Sequence, residues 1–205
     1  MHSEQEGDNL DRELIKQFVK AIHEFGDNSY LKAVLLYNIS PVISGEKPAS
    51  IISFSKAGRD LKQLWQLNKE NMYNEIGVNY FEIKHSGNYI TVLFYNRSSL
   101  MKLLADIKVC EFLELFGYRN INNLNKVLLQ VRDKYSGSIP HEVGVLLGIP
   151  IEDVKGFMEG ESNKCLFTGY WKVYSQEEKA RYIFSAIDKV RERAIYDIIN
   201  WKRSN

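Results

Sequence analysis

The stretch Tyr89–Tyr95 constrains the fold most strongly, because it is apolar on both faces of any strand that it forms. Its β-branched and aromatic residues are typical of strands. Residues 78–84 have a similar composition, and residues 85–88 between the two stretches supply a serine, a glycine and an asparagine. The pattern predicts a β-hairpin over about residues 78–95. Its second strand is expected to be central, with helices covering at least one side.

Most of the remaining chain has a helical period. Apolar residues recur at helical spacing from Leu10 to Ile22, which predicts an amphipathic helix. A second, more buried helix is expected from Tyr30 to Ile39 and is predicted to end before Pro41, since the residue before a proline avoids the helical region. Residues 51–54 form a short apolar run after a loop.

The predicted fold class is α+β, a mainly helical single domain with a small antiparallel sheet. The sheet is expected to contain the hairpin at about residues 78–95 and a strand at about residues 166–174, and a long helix follows to the C-terminus. Residues 1–9 are expected to be disordered, which leaves one globular domain over residues 10–205.

Composition excludes several classes of protein. The net charge of +1 creates no overall field that would attract nucleic acid or anionic lipid. The polar, acidic N-terminus is unlike a signal peptide, and no run approaches the roughly 18 apolar residues of a spanning helix, so we expect a cytoplasmic protein without a membrane partner. Two cysteines are too few for a disulfide framework or a four-cysteine zinc site.

His141 and Glu142 are the first candidates for chemistry, because they stand together at the start of a predicted helix. An acidic residue there is favoured by the helix dipole alone, which is the structural explanation of Glu142. The functional alternative is an acid/base pair facing a pocket, or His141 acting as a metal or haem ligand. The sequence contains no glycine-rich nucleotide loop and no HExxH motif that would specify the reaction.

Residues 141–159 fit a helix-turn-helix template. Gly144 takes the small position of the first helix and Gly148 the turn, while Val154 and Phe157 take buried positions of the second helix. The exposed face of that second helix would present Glu152, Asp153, Lys155 and Gly156. Because this face is acidic and lacks residues that read base edges, we interpret the motif as a packing device and do not expect nucleic acid as a partner.

Aromatic residues alternate with other side chains over residues 166–174. If Trp171 enters the core, then Tyr170, Lys172 and Tyr174 line the opposite face of the strand. Such a row can stack on a planar ligand and neutralise a carboxylate or phosphate, although aromatics in strands more often serve packing. Lys47, in a loop between two prolines, is a further ligand-binding candidate, with a solvated surface lysine as the alternative.

These motifs together resemble a known family. The pattern PHExGxxLGxPxxDVxGF over residues 140–157, the sequence GYWKVY over residues 169–174 and the proline-glycine-lysine-proline loop at residues 40–49 are similar to those of an uncharacterised family of Firmicutes and related anaerobes, a domain of unknown function. The resemblance covers roughly residues 30–190 and implies no particular reaction or cofactor. Ile139 and Ile149 stand where that family usually has aromatic residues.

Three hypotheses follow. The first is a binding or accessory protein that takes a small molecule or a cofactor of unknown identity. The second is an enzyme that uses His141 and Glu142 as acid and base, which predicts that Lys47, His141, Glu142 and Lys172 share one cleft. The third is a helix-turn-helix regulator. Any site is expected where the helix at residue 141 meets the strand at residues 166–174, and the charged last helix is expected to be solvated or to contact a second copy or another protein.

Overall fold

The computed structural model describes residues 11–160 and 164–204. The predicted disorder of residues 1–9 lies outside this part of the chain. The helices are α1 (Arg12–His23), α2 (Asp27–Ile43), α3 (Leu61–Ile76), α4 (Arg97–Leu103), α5 (Ile107–Leu115), α6 (Leu124–Lys134), a 3-10 helix (His141–Leu147), α7 (Ile151–Met158) and α8 (Glu177–Ser204). The strands are β1 (Ala49–Ser55), β2 (Asn79–His85), β3 (Tyr89–Tyr95), β4 (Phe167–Thr168) and β5 (Lys172–Val173).

Strand β3 is the centre of a three-stranded antiparallel sheet, as its composition predicted. Ile90, Val92 and Phe94 pack with side chains of α2 and α3 on one face. Leu93 and Tyr95, which point the other way, pack with side chains of α4, α5, α6 and the 3-10 helix. Both faces of the strand are therefore covered, which explains why it carries almost no polar side chain.

The predicted mainly helical α+β fold, with its small antiparallel sheet and long C-terminal helix, is confirmed. The membership of the sheet differs from the prediction, because β1 and not residues 166–174 supplies the third strand. Residues 166–174 instead form the separate two-stranded hairpin β4–β5. The turn between them contains Gly169, where a Cβ atom would lie 2.2 Å from the ring of Phe184, so only glycine allows this hairpin to rest on α8.

Helix α2 continues through Pro41 to Ile43, so the predicted helix end at this proline is wrong. A proline cannot donate to the carbonyl one turn earlier, which would leave the Tyr37 carbonyl without its helical donor. The hydroxyl of Ser40 donates to that carbonyl at 3.0 Å and replaces the missing bond. The Pro41 carbonyl in turn accepts from the backbone N–H of Lys47 at 2.8 Å, which folds the following loop back against the helix.

Helix α8 spans 28 residues and lies across the N-terminal helices. Its buried Ile195 and Ile198 pack with Leu14, Phe18 and Ala33 of α1 and α2. The apolar stripe of α8 is therefore explained by contacts with helices of the same chain. No helix among the described residues has both the length and the apolar composition needed to cross a bilayer.

Candidate functional site

The 3-10 helix and α7 are in close contact within the segment that was predicted to form a helix-turn-helix. A Cβ atom on Gly144 would lie 3.0 Å from Cγ2 of Val154, so the glycine allows the 3-10 helix to approach α7. Gly148 has a φ of +85°, in the left-handed region that favours glycine, and it ends the first helix. The predicted roles of both glycines are confirmed, although the first helix is of the 3-10 type.

Asp153 is the main polar anchor between α7 and the β4–β5 hairpin. The sequence pattern placed it on an exposed face, but it is 1% exposed and that prediction is wrong. Its carboxylate accepts from the indole Nε1–H of Trp171 at 2.8 Å, and from the backbone N–H groups of Tyr174 and Ser175 at 2.9 Å each. The Ser175 hydroxyl adds a fourth bond at 3.3 Å. The carboxylate is thus fully engaged in holding the hairpin to the helix.

The same face of α7 carries Gly156, which is buried under Tyr174. A Cβ atom at Gly156 would lie 2.4 Å from Cγ of that tyrosine. The hairpin therefore covers the face that a DNA-reading helix would present, and only Glu152 and Lys155 of the four predicted recognition residues are exposed. Phe157, predicted to be buried, is 43% exposed.

A cavity of about 250 Å³ lies where the 3-10 helix, α7 and the hairpin meet, at the predicted position of a site. Its lining is mainly apolar and consists of Ile139, Pro140, His141, Gly144, Leu147, Ile149, Asp153, Val154, Phe157, Trp171 and Lys172. Ile139 and Ile149 thus supply aliphatic walls at the positions noted above.

Two nitrogen-containing side chains meet one aromatic ring at the edge of this cavity. The His141 ring lies edge-on to Phe157 with the ring centroids 5.0 Å apart. Lys172 Nζ lies 5.8 Å from the centroid of the same ring. His141, Phe157 and Lys172 are all exposed, so the cavity has a solvent-accessible rim with an aromatic surface and a cation.

Glu142 is not part of this rim. It is 7% exposed and accepts a long hydrogen bond of 3.4 Å from the hydroxyl of buried Tyr118. Burial, and then the negative charge of Glu142, raise the pKa of Tyr118 above its ordinary value. The adjacent residues His141 and Glu142 therefore face different surroundings and do not form a pair directed into one cavity.

The predicted row of Tyr170, Lys172 and Tyr174 is not formed. Tyr170 lies in the hairpin turn, where its hydroxyl donates to Asp188 of α8 at 2.5 Å. The turn interrupts the strand alternation on which the prediction depended, so Tyr170 points to α8 while Tyr174 packs on α7. Trp171 is buried, as expected.

Lys47 does not line this cavity. Its side chain is half-buried, and desolvation followed by the positive charge of Arg191 lowers the pKa of Lys47 to about 8. Of the four residues in the enzyme hypothesis, only His141 and Lys172 line the cavity. Within the described ranges, no group of three or more histidine, cysteine, aspartate or glutamate side chains is arranged to hold a metal ion.

Sequence reasoning did not identify Phe157 as a rim residue or Arg191 as a neighbour of Lys47. The helix-turn-helix template predicts a buried Phe157, because it takes no account of a hairpin that packs on the second helix. Arg191 is one of many charges on α8, and nothing in the local pattern separates it from its solvated neighbours.

A family model described as a protein of unknown function, DUF3793, matches residues 35–204. The match includes the three elements that form the cavity, which are the 3-10 helix, α7 and the β4–β5 hairpin. It also includes Lys47 and α8. No curated protein sequence and no solved structure is significantly similar to the chain. Because the family model covers most of the chain, the protein belongs to the DUF3793 family.

Proposed function

We propose that this protein binds a small planar molecule with a negatively charged group, in the cavity between the 3-10 helix, α7 and the β4–β5 hairpin. The observation that carries the proposal is the rim, where His141 and Lys172 both approach the exposed ring of Phe157 beside an apolar interior. Ligand sites are commonly apolar concavities with a few convergent polar groups. Enzyme and DNA-regulator functions have no comparable supporting observation.

The size of the cavity limits the ligand. Sites for drug-sized molecules usually span about 300–1,000 Å³. A volume of about 250 Å³ suits a molecule of one or two rings. A haem or flavin would extend beyond it, so His141 as a haem ligand requires most of the cofactor to lie outside the cavity.

The charges at the site favour an anionic ligand. Among the described residues that line the cavity, Asp153 is the one with a carboxylate. Its two oxygens already accept four hydrogen bonds, so it offers little to a cation. Lys172 at the rim lies over the Phe157 ring and has no carboxylate partner among the residues that the structure describes. A flat ring inserted between the aliphatic walls would place a carboxylate within reach of this ammonium group.

Calorimetric titration with benzoate and benzyl alcohol tests the proposal, because the two probes differ mainly in charge. We expect benzoate to bind about tenfold more tightly, the effect of one charge-assisted contact. Lys172→Met should remove this preference, whereas Lys155→Met, which removes an exposed lysine of α7 outside the cavity, should keep it. Equal binding of the two probes by the unsubstituted protein, or an unchanged preference in Lys172→Met, would contradict the proposal.

A further inference from the structure

Arg191 of α8 has an unusual position between two aromatic rings. Its guanidinium carbon lies 5.3 Å from the ring centroid of Tyr37 on α2 and 4.7 Å from that of Tyr170 in the hairpin turn. Its Nε atom is buried and has no hydrogen-bond partner among the described residues. A buried N–H donor without an acceptor is rare in folded proteins.

A second cation approaches the same place from the loop after α2. The backbone N–H of Lys47 donates to the carbonyl of Pro41, which lies one helical turn after Tyr37 on α2, so Lys47 lies near the ring that contacts Arg191. Its side chain is half-buried, and desolvation followed by the positive charge of Arg191 lowers the pKa of Lys47. In the part of the chain that the structure describes, Lys47 Nζ has no hydrogen-bond or salt-bridge partner. Asp188, three residues before Arg191, accepts from Tyr170 instead of pairing with either cation.

Two neighbouring cations that are partly removed from water, neither of which pairs with a carboxylate in the described ranges, destabilise the fold unless an anion joins them. We propose that Lys47 and Arg191 form a binding site for an oxyanion, which is the phosphate, sulfate or carboxylate group of a ligand. The Arg191 Nε–H and an adjacent Nη–H supply the two parallel donors that recognise such a group, and Lys47 supplies the second positive charge. This site shares no residue with the apolar cavity and does not depend on the function proposed for it.

The test is a titration of the intact protein with inorganic phosphate, sulfate or acetate, each against chloride at constant ionic strength. The Nε–H signal of Arg191 in the ¹⁵N–¹H spectrum is the readout. We expect a saturable shift of this signal for at least one of the oxyanions, and the three titrations identify which group the site prefers. Lys47→Met should weaken the affinity at least tenfold, while Lys189→Met, which removes an exposed lysine of α8, should change it less than twofold.

A measurement on the unsubstituted protein keeps the test independent of how the variants fold. Bound oxyanion should slow acetylation of Lys47 by acetic anhydride several-fold relative to Lys189, as measured by mass spectrometry. A linear, non-saturating shift that is the same in both variants, or a Lys47 acetylation rate that none of the three oxyanions changes, would overturn the proposal.

Discussion

The indole Nε1–H of Trp171 donates to the Asp153 carboxylate at 2.8 Å, and both side chains are buried. This bond connects the β4–β5 hairpin to α7 and fixes one wall of the cavity. The Trp171 ring also packs edge-on against Phe184 of α8, with the centroids 4.4 Å apart. The shape of the proposed ligand site therefore depends on a polar anchor on one side of the indole and an aromatic contact on the other.

Asp153→Asn should destabilise the fold, because the amide group cannot accept from all four donors and its NH₂ would face one or more of them. We expect a loss of about 2–4 kcal/mol in the free energy of unfolding, measured by urea denaturation. Glu152→Gln, at the exposed neighbouring position, should change it by less than about 0.5 kcal/mol. Similar effects of the two substitutions would contradict the anchoring role of Asp153.

Gly156→Ala should destabilise the protein, even though alanine favours helices by about 1 kcal/mol over glycine. The added methyl group would lie 2.4 Å from Cγ of Tyr174, so the hairpin must move away from α7. We expect a net loss of about 1–3 kcal/mol in thermal or urea unfolding. In a Tyr174→Ala background the same substitution should cost less or become stabilising, whereas an additive double variant would show that the two residues do not interact. Gly87→Ala, where a Cβ meets nothing within 4 Å, is the control.

Lys47→Met should stabilise the protein at neutral pH. Burial and Arg191 lower the pKa of Lys47 from 10.5 to about 8. Below pH 8 the amine is protonated in both the folded and the unfolded state, and its partial burial in the folded state lowers the free energy of unfolding. Between pH 8 and 10.5 the unfolded state binds more protons, so this cost disappears as the pH rises.

In a buffer free of phosphate and sulfate, Lys47→Met is thus expected to gain on the order of 1–2 kcal/mol at pH 7, a value discounted for the partial exposure of the side chain. The gain should shrink between pH 8 and pH 10. Urea unfolding over this pH range measures it, with Lys189→Met as the control for loss of one positive charge. A gain that is absent at pH 7, or one that grows with pH, would contradict the partial desolvation of the Lys47 amine.

The sequence predicted those features that depend on local pattern. The two-faced apolar composition of β3 predicted a central strand, and Gly144 and Gly148 predicted two short helices in close contact. These two inferences succeeded because side-chain period and glycine stereochemistry act within a few residues. A cavity lies where residues 141–147 meet the GYWKVY segment, and a functional site at that place stays a prediction.

Features that depend on distant residues were not predictable in this way. Pro41 lies inside α2 because Ser40 compensates for the lost hydrogen bond. Asp153 is buried because the hairpin, about 20 residues later, brings four donors to it. The environment of Lys47 includes Arg191, which follows it by more than 140 residues and has no distinguishing local pattern. The burial of such charged groups can be predicted only when the tertiary contacts are known.

The most direct test of the account follows the three indole N–H signals of tryptophan in a ¹⁵N–¹H spectrum while benzoate is added. Since Trp171 lines the cavity and Trp65 and Trp201 do not, we expect a saturable shift of the Trp171 signal alone, with a Kd of about 1 mM for so small a probe. Lys172→Met should weaken this affinity. An unchanged Trp171 signal at saturating benzoate, or equal shifts of all three signals, would contradict the proposed site.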